Sequence, residues 1–380
     1  MNKLDEIRKE IDVIDDQLVA LYLKRMETVR KVAEAKAEGN VAVNDSGREN
    51  AVVYRLTKDL PEDMKLYVNE LYKSVFQTSK SYQATLMSKT SPTVDKLEEL
   101  LKSPLPQLPV SATIACQGVK GANSGATAQK LFPICDITYC KNFEGVFAAV
   151  EKGLCEFGVL PLENSTAGSV SEVYDLMKKH HFYIVKSARV RIEHCLVAKQ
   201  GADLKSIKKV ISHPQALSQC SEYLKKLGVD IEPVESTALA AKIVSEGDDT
   251  TLAALCSAEC SKVYGLNIIE RGVQDSPVNS TRFICIAKNL TIYNGADKIS
   301  VMMSISHNPG SLNSLLGKFA AQGLNLVKIE SRPIPNSEFE FMFYFDFEGD
   351  VADKKVRNLI AELENGSDRF VFLGVYKELK

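Results

Sequence analysis

The chain is poor in the features that mark most specialised protein classes. No apolar run approaches the length of a membrane span, and the opening Met1-Asn2-Lys3-Leu4-Asp5 lacks the apolar core of a signal peptide. A cytoplasmic protein with no membrane association is therefore expected. Net charge is also scarce, at -2 over 380 residues, which gives no global field for nucleic acid. Any bound anion must meet a local cluster instead. The nine cysteines are odd in number and form no C-x-x-C pair, so reduced thiols are expected rather than a disulfide framework. Five scattered histidines argue against a metal site, and the missing G-x-G-x-x-G argues against nicotinamide chemistry. Neither a metal nor another cofactor is expected.

What is present is ordinary for a soluble globular protein: 25% charged and 45% hydrophobic residues. The length exceeds what one hydrophobic core usually covers, so two or three domains are expected.

Residues 4–38 read as one long helix. Ile7, Ile11, Ile14, Leu18 and Leu21 draw a stripe along it, and Gly39-Asn40 supplies the stop. The stripe then meets Arg25, and beyond Val32 it meets Lys36; these cations point the same way, roughly 16 Å apart. They either converge on one small anion or snorkel to solvent at the bundle edge. Ser46 and Glu49 fit an S-x-x-E capping box opening a second helix. A third helix covers 62–88, with Ser79 and Gln83 one turn apart on one face. Three helices bury little alone, and a helical dimer would close such a core.

Residues 4–84 resemble the all-helical type of chorismate mutase domain at Arg8, Arg25, Lys36, Asp45, Arg48, Glu49, Ser79 and Gln83. The resemblance implies an intertwined dimer in which Arg8 reaches the partner's site. Arg8 lies about 100° round the helix from Arg25, consistent with a different destination. By resemblance Arg8, Arg25 and Arg48 hold two carboxylates, Lys36 and Gln83 donate to the ether oxygen of chorismate, and Glu49 fixes the ring hydroxyl; Asp45 and Ser79 complete the substrate site. A Claisen rearrangement needs a folded substrate and donors where negative charge grows, not a nucleophile. Because Gln83 is a neutral donor, the step should not demand acid pH.

Residues 85–110 lose the helical period and end in Lys102-Ser103-Pro104-Leu105-Pro106-Gln107-Leu108-Pro109, a semi-rigid connector in which Thr93–Leu101 can form a short helix. We take 1–90 as the first domain and 91–110 as a linker. From 111 short apolar runs at 112–115, 137–139, 158–160, 210–211 and 252–255 alternate with helical stretches, which predicts an α/β unit with mainly parallel pairing and two lobes around a cleft.

Polar, small-residue turns follow these strands: Gly118-x-x-Gly121-x-x-Ser124, Pro161-Leu162-Glu163-Asn164-Ser165, Gly168-Ser169-Val170, Ser212-His213-Pro214-Gln215-Ala216 with Gln219, and Thr281-Arg282-Phe283. Each alone is ordinary turn chemistry; together they resemble the prephenate dehydratase domain over about 111–290. Asn123 departs from the bulkier residue usual there. The reaction expels carbon dioxide and a ring hydroxyl, and by resemblance Thr281 serves the leaving hydroxyl as a positioned donor or relay. Arg282 would bind carboxylate, and Ser124, Glu163, Asn164, Ser165, Ser212 and Gln219 would orient prephenate. His213 is the alternative general acid, or simply a turn residue before Pro214.

Over 297–380 the order is strand, helix, two strands, helix and strand, a ferredoxin-like α+β pattern. Phe339, Phe341, Phe343, Phe345 and Phe347 alternate with Glu338, Glu340, Met342, Tyr344, Asp346 and Glu348, predicting one buried aromatic face. The segments Asn308-Pro309-Gly310-Ser311-Leu312 and Glu330-Ser331-Arg332-Pro333 resemble the ACT regulatory domain, with Ser311 in place of the usual alanine. That resemblance implies an effector site for phenylalanine at Asn308, Pro309, Gly310, Leu312, Glu330, Ser331 and Arg332, between paired domains. The chain as a whole resembles bifunctional chorismate mutase–prephenate dehydratases: a helical domain, a two-lobed α/β domain and an ACT domain. The expected partners are chorismate, prephenate, phenylalanine and further copies of the chain, as a dimer or tetramer. A mutase–dehydrogenase fusion and a non-catalytic amino-acid sensor are the alternatives.

Overall fold

The computed structural model describes residues 3–39, 45–87, 91–308, 310–334 and 341–379. Asn40, Pro309 and Phe339 lie outside them. The first stretch is helical throughout: α1 (Lys3–Gly39), α2 (Ser46–Thr57), α3 (Glu62–Leu86) and α4 (Pro92–Leu101). Asp45, not Ser46, caps α2, its carboxylate accepting from the Arg48 amide at 2.9 Å. The α4 helix occupies part of the expected linker, with Ser91 as N-cap, Pro92 in the first turn and Leu97 fully buried.

The middle of the chain begins β1 (Ser111–Gln117), α5 (Asn123–Leu131), β2 (Ile134–Cys140), α6 (Phe143–Glu151), β3 (Phe157–Asn164), β4 (Gly168–Ser169), α7 (Ser171–Lys179) and β5 (Tyr183–Arg191). It then crosses into a second lobe of β6 (Cys195–Ala198), β7 (Lys209–Ser212), α8 (Pro214–Gln219), α9 (Ser221–Leu227), β8 (Asp230–Pro233), α10 (Thr237–Glu246), β9 (Leu252–Cys256), α11 (Ala258–Tyr264) and β10 (Asn267–Arg271). It crosses back as β11 (Ser280–Ala287). The rest of the chain is β12 (Lys298–Ser304), α12 (Ser311–Ala321), β13 (Leu326–Pro333), β14 (Phe341–Glu348), α13 (Lys354–Asn365) and β15 (Phe370–Leu379), the expected βαββαβ order.

The chain divides into two compact units, one of Met1–Lys102 with Met302–Val371, the other of Ser103–Val301 with Phe372–Lys380. The first holds β13, β14 and one end each of β12 and β15, in the order β13-β14-β12-β15 of a ferredoxin-like sheet. The alternation in β14 is only half obeyed. Phe345 and Phe347 are buried against Phe319 of α12, but Met342, Tyr344 and Asp346 are buried too, while Phe341 and Phe343 are half-exposed. Both faces of this strand are therefore covered over most of its length, which a single-face period cannot predict.

The helices of this unit are wired to one another by polar side chains. Gln77 of α3 donates to the Ser314 carbonyl of α12 at 2.7 Å and accepts from its hydroxyl at 2.8 Å. Glu362 of α13 receives Ser81 of α3 at 3.2 Å and Lys318 of α12 at 3.3 Å. Glu364 takes the hydroxyls of Ser91 and Thr93, which docks α4 on α13. By contrast the stripe on α1 is uncovered: Ile7, Ile11, Ile14, Leu18 and Leu21 are all exposed, Leu21 at 67%. Further along α1, Val29 and Ala33 are buried. The core-like face read from the sequence is real as a pattern, but one chain does not bury it.

In the second unit the sheets are mixed rather than mainly parallel. β1 runs parallel to β2 and β3, while β11 inserts antiparallel between β3 and β5. In the second lobe β7 is parallel to β8 and β9, and β6 lies antiparallel between β9 and β10. Helices cover both faces of that sheet: α10 and α11 over Val197, Ile211 and Ala254, α8 and α9 over Leu196, Val210 and Leu255. In the first lobe Ile114, Cys116, Val159 and Cys285 form the core with Phe132 stacked on Phe157. Each fully buried aliphatic or aromatic side chain there contributes about 1.5–3 kcal/mol. Gly374 of β15 has φ +135°, and a side chain there would run into the Ile184 carbonyl of β5, so only glycine fits. No helix among the described residues is long and apolar enough to cross a membrane.

Candidate active site

Antiparallel pairing of β3 with β11 sets Asn164 opposite Thr281 and Glu163 opposite Arg282. The register then slips, Phe283 facing Pro161, so Leu162 is an extra residue in β3. Proline cannot donate to a ladder, and a bulge beside it re-aims the strand end. Just beyond, Asn164 closes an Asx turn: its Oδ1 accepts from the amides of Thr166 at 3.1 Å and Ala167 at 2.9 Å. Two amide donors fix which end of the carboxamide is oxygen. The Asn164 NH2 must then point at β11, where it donates to Asn279 Oδ1 at 2.8 Å and Thr281 Oγ1 at 2.9 Å. With that oxygen already accepting, the Thr281 hydroxyl has its own proton to give elsewhere.

The network reaches the second lobe through Gln219, at the end of α8. Its Nε2 donates to Thr166 Oγ1 at 2.8 Å, and its Oε1 accepts from Asn279 Nδ2 at 3.0 Å and lies 2.9 Å from His194 Nε2. Thr166 in turn donates to Asn164 Oδ1 at 2.7 Å. Ser165 exchanges hydrogen bonds with Ser280, N to O at 2.9 Å and Oγ from N at 3.0 Å. Asn164, Ser165, Gln219 and Thr281, all expected in the site, thus come together. Thr166 and Asn279, from the same polar stretches as Asn164 and Thr281, join them, and His194 joins unannounced. Asn279 stood two residues before Thr281 in the sequence; His194 gave no signal beyond being a lone histidine ahead of a strand.

Other expected residues are committed to the scaffold. The buried Ser124 hydroxyl donates to the Gln117 carbonyl at 2.8 Å, and the buried Ser212 hydroxyl to the Leu255 carbonyl at 2.7 Å. His213 is the N-cap of α8, its Nδ1 accepting from the Gln215 amide at 3.2 Å, and burial pushes its pKa down. The turn role fits it better than the acid role.

Arg282, next to Thr281 on the strand, points to the opposite face. It is 4% exposed, donates to the Tyr376 hydroxyl at 2.6 Å, and pairs with Glu163 at 3.3 Å and Glu378 at 3.1 Å. Tyr376 continues to Ser300 at 2.7 Å. Glu378 also meets Lys298 at 2.9 Å and Arg189 at 3.0 Å. Burial alone would raise the Glu378 carboxyl, but Lys298, Arg282 and Arg189 outweigh it and hold it below the usual range. The guanidinium is thus already balanced by protein carboxylates.

In the helical unit Arg25 donates to Ser79 Oγ and lies 5.9 Å over the Phe76 ring. Gln83 is 7% exposed; one Nε2 proton reaches the Ser79 carbonyl at 3.3 Å, the second is left over, and Oε1 finds no partner among the described residues. Glu49 pairs with Lys80 at 3.1 Å, a contact the sequence did not announce. Lys36 is half-buried on the same helix as Arg25, Arg48 is exposed, and Arg8 is exposed beside Asp5 at 3.7 Å. Arg25, Ser79 and Gln83 are brought together, as are Glu49 and Lys80; Arg8 stands apart from both within one chain.

A cavity of about 130 Å³ lies in the ferredoxin-like part, lined by Ile305, Ser306, His307, Asn308, Ser311, Leu312, Phe341 and Phe343. Gly310, at φ +85°, forms the turn into α12. Asn308 and Leu312 line the cavity. Glu330, Ser331 and Arg332 do not; they lie on β13, with Ser331 paired to Phe343.

Comparison with known proteins gives a match within each unit. Residues 114–291 match the family model "Prephenate dehydratase", and 7–84 match "Chorismate mutase type II". Arogenate dehydratase/prephenate dehydratase 2 of Arabidopsis thaliana is 39% identical over 274 residues, covering 69% of this chain and 72% of its own. A prephenate dehydratase from Arthrobacter aurescens, solved with L-Phe, is 30% identical with a TM-score of 0.64, covering 70% of this chain and 89% of its own. GqqA, described as a novel type of quorum quenching acylase, gives the same TM-score at 31% identity, covering 70% and 97%. The dehydrogenase and pure-sensor alternatives give way to these matches. The chain belongs to the prephenate dehydratase family and carries a type II chorismate mutase domain ahead of it, an isomerase and a lyase in one polypeptide.

Proposed function

We propose that the chain converts chorismate to prephenate in its helical domain and prephenate to phenylpyruvate in its two-lobed domain, for phenylalanine biosynthesis. The observation that carries the second step is the Asn164–Thr281 hydrogen bond, which leaves the threonine proton free to meet a departing hydroxyl. In that step the bond to the ring carboxylate breaks and its electron pair enters the ring. The ring hydroxyl leaves from the opposite carbon and becomes water with one proton, delivered through Thr281 from solvent. Threonine is too weak an acid to be the source, so its value lies in position. The helical site supports a rearrangement: Arg25 and Gln83 both donate to Ser79, and neither a nucleophile nor a proton donor is needed.

Arg282 we assign to bracing β11 rather than to substrate carboxylate, because Glu163 and Glu378 already neutralise it. The uncovered α1 stripe supports closure by a second copy of the chain, with Arg8 reaching the partner's site. The cavity at Asn308 and Leu312 supports an ACT-type effector site for phenylalanine, which would inhibit the dehydratase step. Nine free thiols support a reducing compartment, cytoplasmic by the sequence reading. The decisive experiment adds chorismate to the full-length protein and follows phenylpyruvate. Prephenate accumulating without product overturns the dehydratase assignment. Because the curated relatives include arogenate dehydratases, arogenate is offered in parallel, and a higher kcat/KM with arogenate moves the assignment to that substrate.

A further inference from the structure

The side chains around Asn164 form a closed circuit with one sense. Asn164 donates to Asn279, Asn279 to Gln219, Gln219 to Thr166, and Thr166 back to Asn164. All four bonds run the same way round. A ring of amides and a hydroxyl can in principle run either way with opposite consequences, and the Thr166 and Ala167 amides on Asn164 Oδ1 set the sense here. In the observed sense Asn164 presents NH2 to Thr281. In the reverse sense it presents oxygen, which would take the Thr281 proton and turn the hydroxyl away from a leaving group.

One side chain outside the ring reinforces that sense at its far side, on Gln219. His194 Nε2 lies 2.9 Å from Gln219 Oε1, so the imidazole carries its proton on Nε2 and donates. In the reverse sense it would face the Gln219 NH2 instead. The histidine is 5% exposed and its backbone is held at both ends, its amide donating to Gln274 Oε1 at 3.0 Å and its carbonyl accepting from Val273 N at 3.0 Å. It sits where the chain leaves β5 for the second lobe, and Asn279 sits where the chain returns; Ile192 N donates to the Asn279 carbonyl at 2.8 Å across the two crossings. We propose that His194 is a positioning residue for the dehydratase, its Nε2 proton holding Gln219 Oε1 in the orientation that the Asx turn at Asn164 requires, and so keeping intact the ring that aims the Thr281 hydroxyl at the leaving group. The assignment rests on the reading of Thr281 as the donor. Burial lowers the His194 pKa against the opposing bond to Gln219, which keeps the ring neutral in its pocket. The imidazole touches no reacting atom.

The test is steady-state dehydratase kinetics on the full-length protein with prephenate, mutase activity serving as the folding control. His194→Met removes the donor and keeps the bulk; kcat should fall about 10- to 100-fold at nearly unchanged KM, less than the ~10²–10³ lost with a donor that touches the reacting atoms. His194→Gln carries an amide N–H near the Nε2 position and should recover most of the rate. Equal loss in both variants means packing alone and overturns the assignment, as does an undiminished rate in His194→Met. Should His194→Met fail to fold, His194→Asn, whose amide falls short of Gln219, takes its place with the same expectation. Thr281→Ala is measured alongside. If it is inactive while the donor-free His194 variant is not, only the role of His194 falls; if Thr281→Ala remains active, the reading of Thr281 falls with it.

Discussion

Arg282 and Glu378 meet at 3.1 Å with both side chains nearly excluded from solvent, and they join the strand that carries Thr281 to the last strand of the chain. Breaking a buried pair by removing one partner leaves the other charge unbalanced. Glu378 faces three cations, Arg282, Lys298 and Arg189, so Glu378→Gln should cost about 3–5 kcal/mol in the unit that contains it. The sign with pH follows from the lowered carboxyl. Its contribution is complete above the ordinary Glu pKa of about 4.3 and is lost as pH falls through the lower folded value. Urea unfolding of wild type and variant at neutral pH should therefore show a wide gap that closes as pH drops below that range. A gap independent of pH would show that the carboxylate charge is not what stabilises the strand.

The Asn164 amide makes a sharper chemical prediction. Asn164→Asp keeps the acceptor that closes the Asx turn but cannot donate to Thr281 or Asn279. Dehydratase kcat should fall by roughly 10²–10³, the loss usual for one preorganised donor, with mutase activity intact. Thr281→Ala should abolish the dehydratase and spare the mutase, and Thr281→Ser should retain part of the rate.

In the mutase site the buried, neutral Gln83 predicts a rate without an acid requirement. Across the range where carboxyl groups titrate, wild-type kcat/KM for chorismate should be flat. Gln83→Glu should introduce an acid limb, since a carboxyl donates only when protonated and burial raises its pKa. A profile unchanged by the substitution would remove Gln83 from the reaction.

The α1 stripe is tested by charge. Leu18→Glu places a carboxylate in the middle of the exposed apolar face. Sedimentation should show wild type as a dimer or larger and the variant shifted towards monomer, with mutase activity lost first. An unaltered sedimentation profile would place the subunit contact elsewhere.

For the small cavity, Phe343→Ala removes an aromatic wall while leaving β14 paired with β13. Inhibition of the dehydratase by phenylalanine should need at least about tenfold more effector, the loss of roughly 1.4 kcal/mol of contact. Unchanged inhibition would move the effector site away from Asn308 and Leu312.

Local signals carried much of this architecture. The period of α1, the βαββαβ order and the strand–turn motifs around Asn164 and Thr281 are written in contiguous residues, and the fold follows them. Relations over long sequence distances were not legible. Nothing near Arg282 announces Glu378, and nothing near Gln219 announces His194, because strand register and the double crossing between lobes bring them together. Likewise the alternation in β14 told which residues share a face, but not that the face of Met342, Tyr344 and Asp346 would be buried too. Burial on both sides removes the contrast that a period-two reading needs.

The Gln77–Ser314 contact has a thermodynamic corollary. Gln77 and Ser79 are two residues apart on α3, about 200° round the helix, so one faces α12 while the other meets Arg25. The same rigid rod is thus gripped at one side by the mutase pocket and at the other by the helix whose first turn borders the cavity at Asn308. Any ligand that shifts α12 against α3 does work on both grips, and linkage makes that work symmetric. An effector that weakens chorismate binding must itself be weakened, by the same factor, when chorismate fills its site.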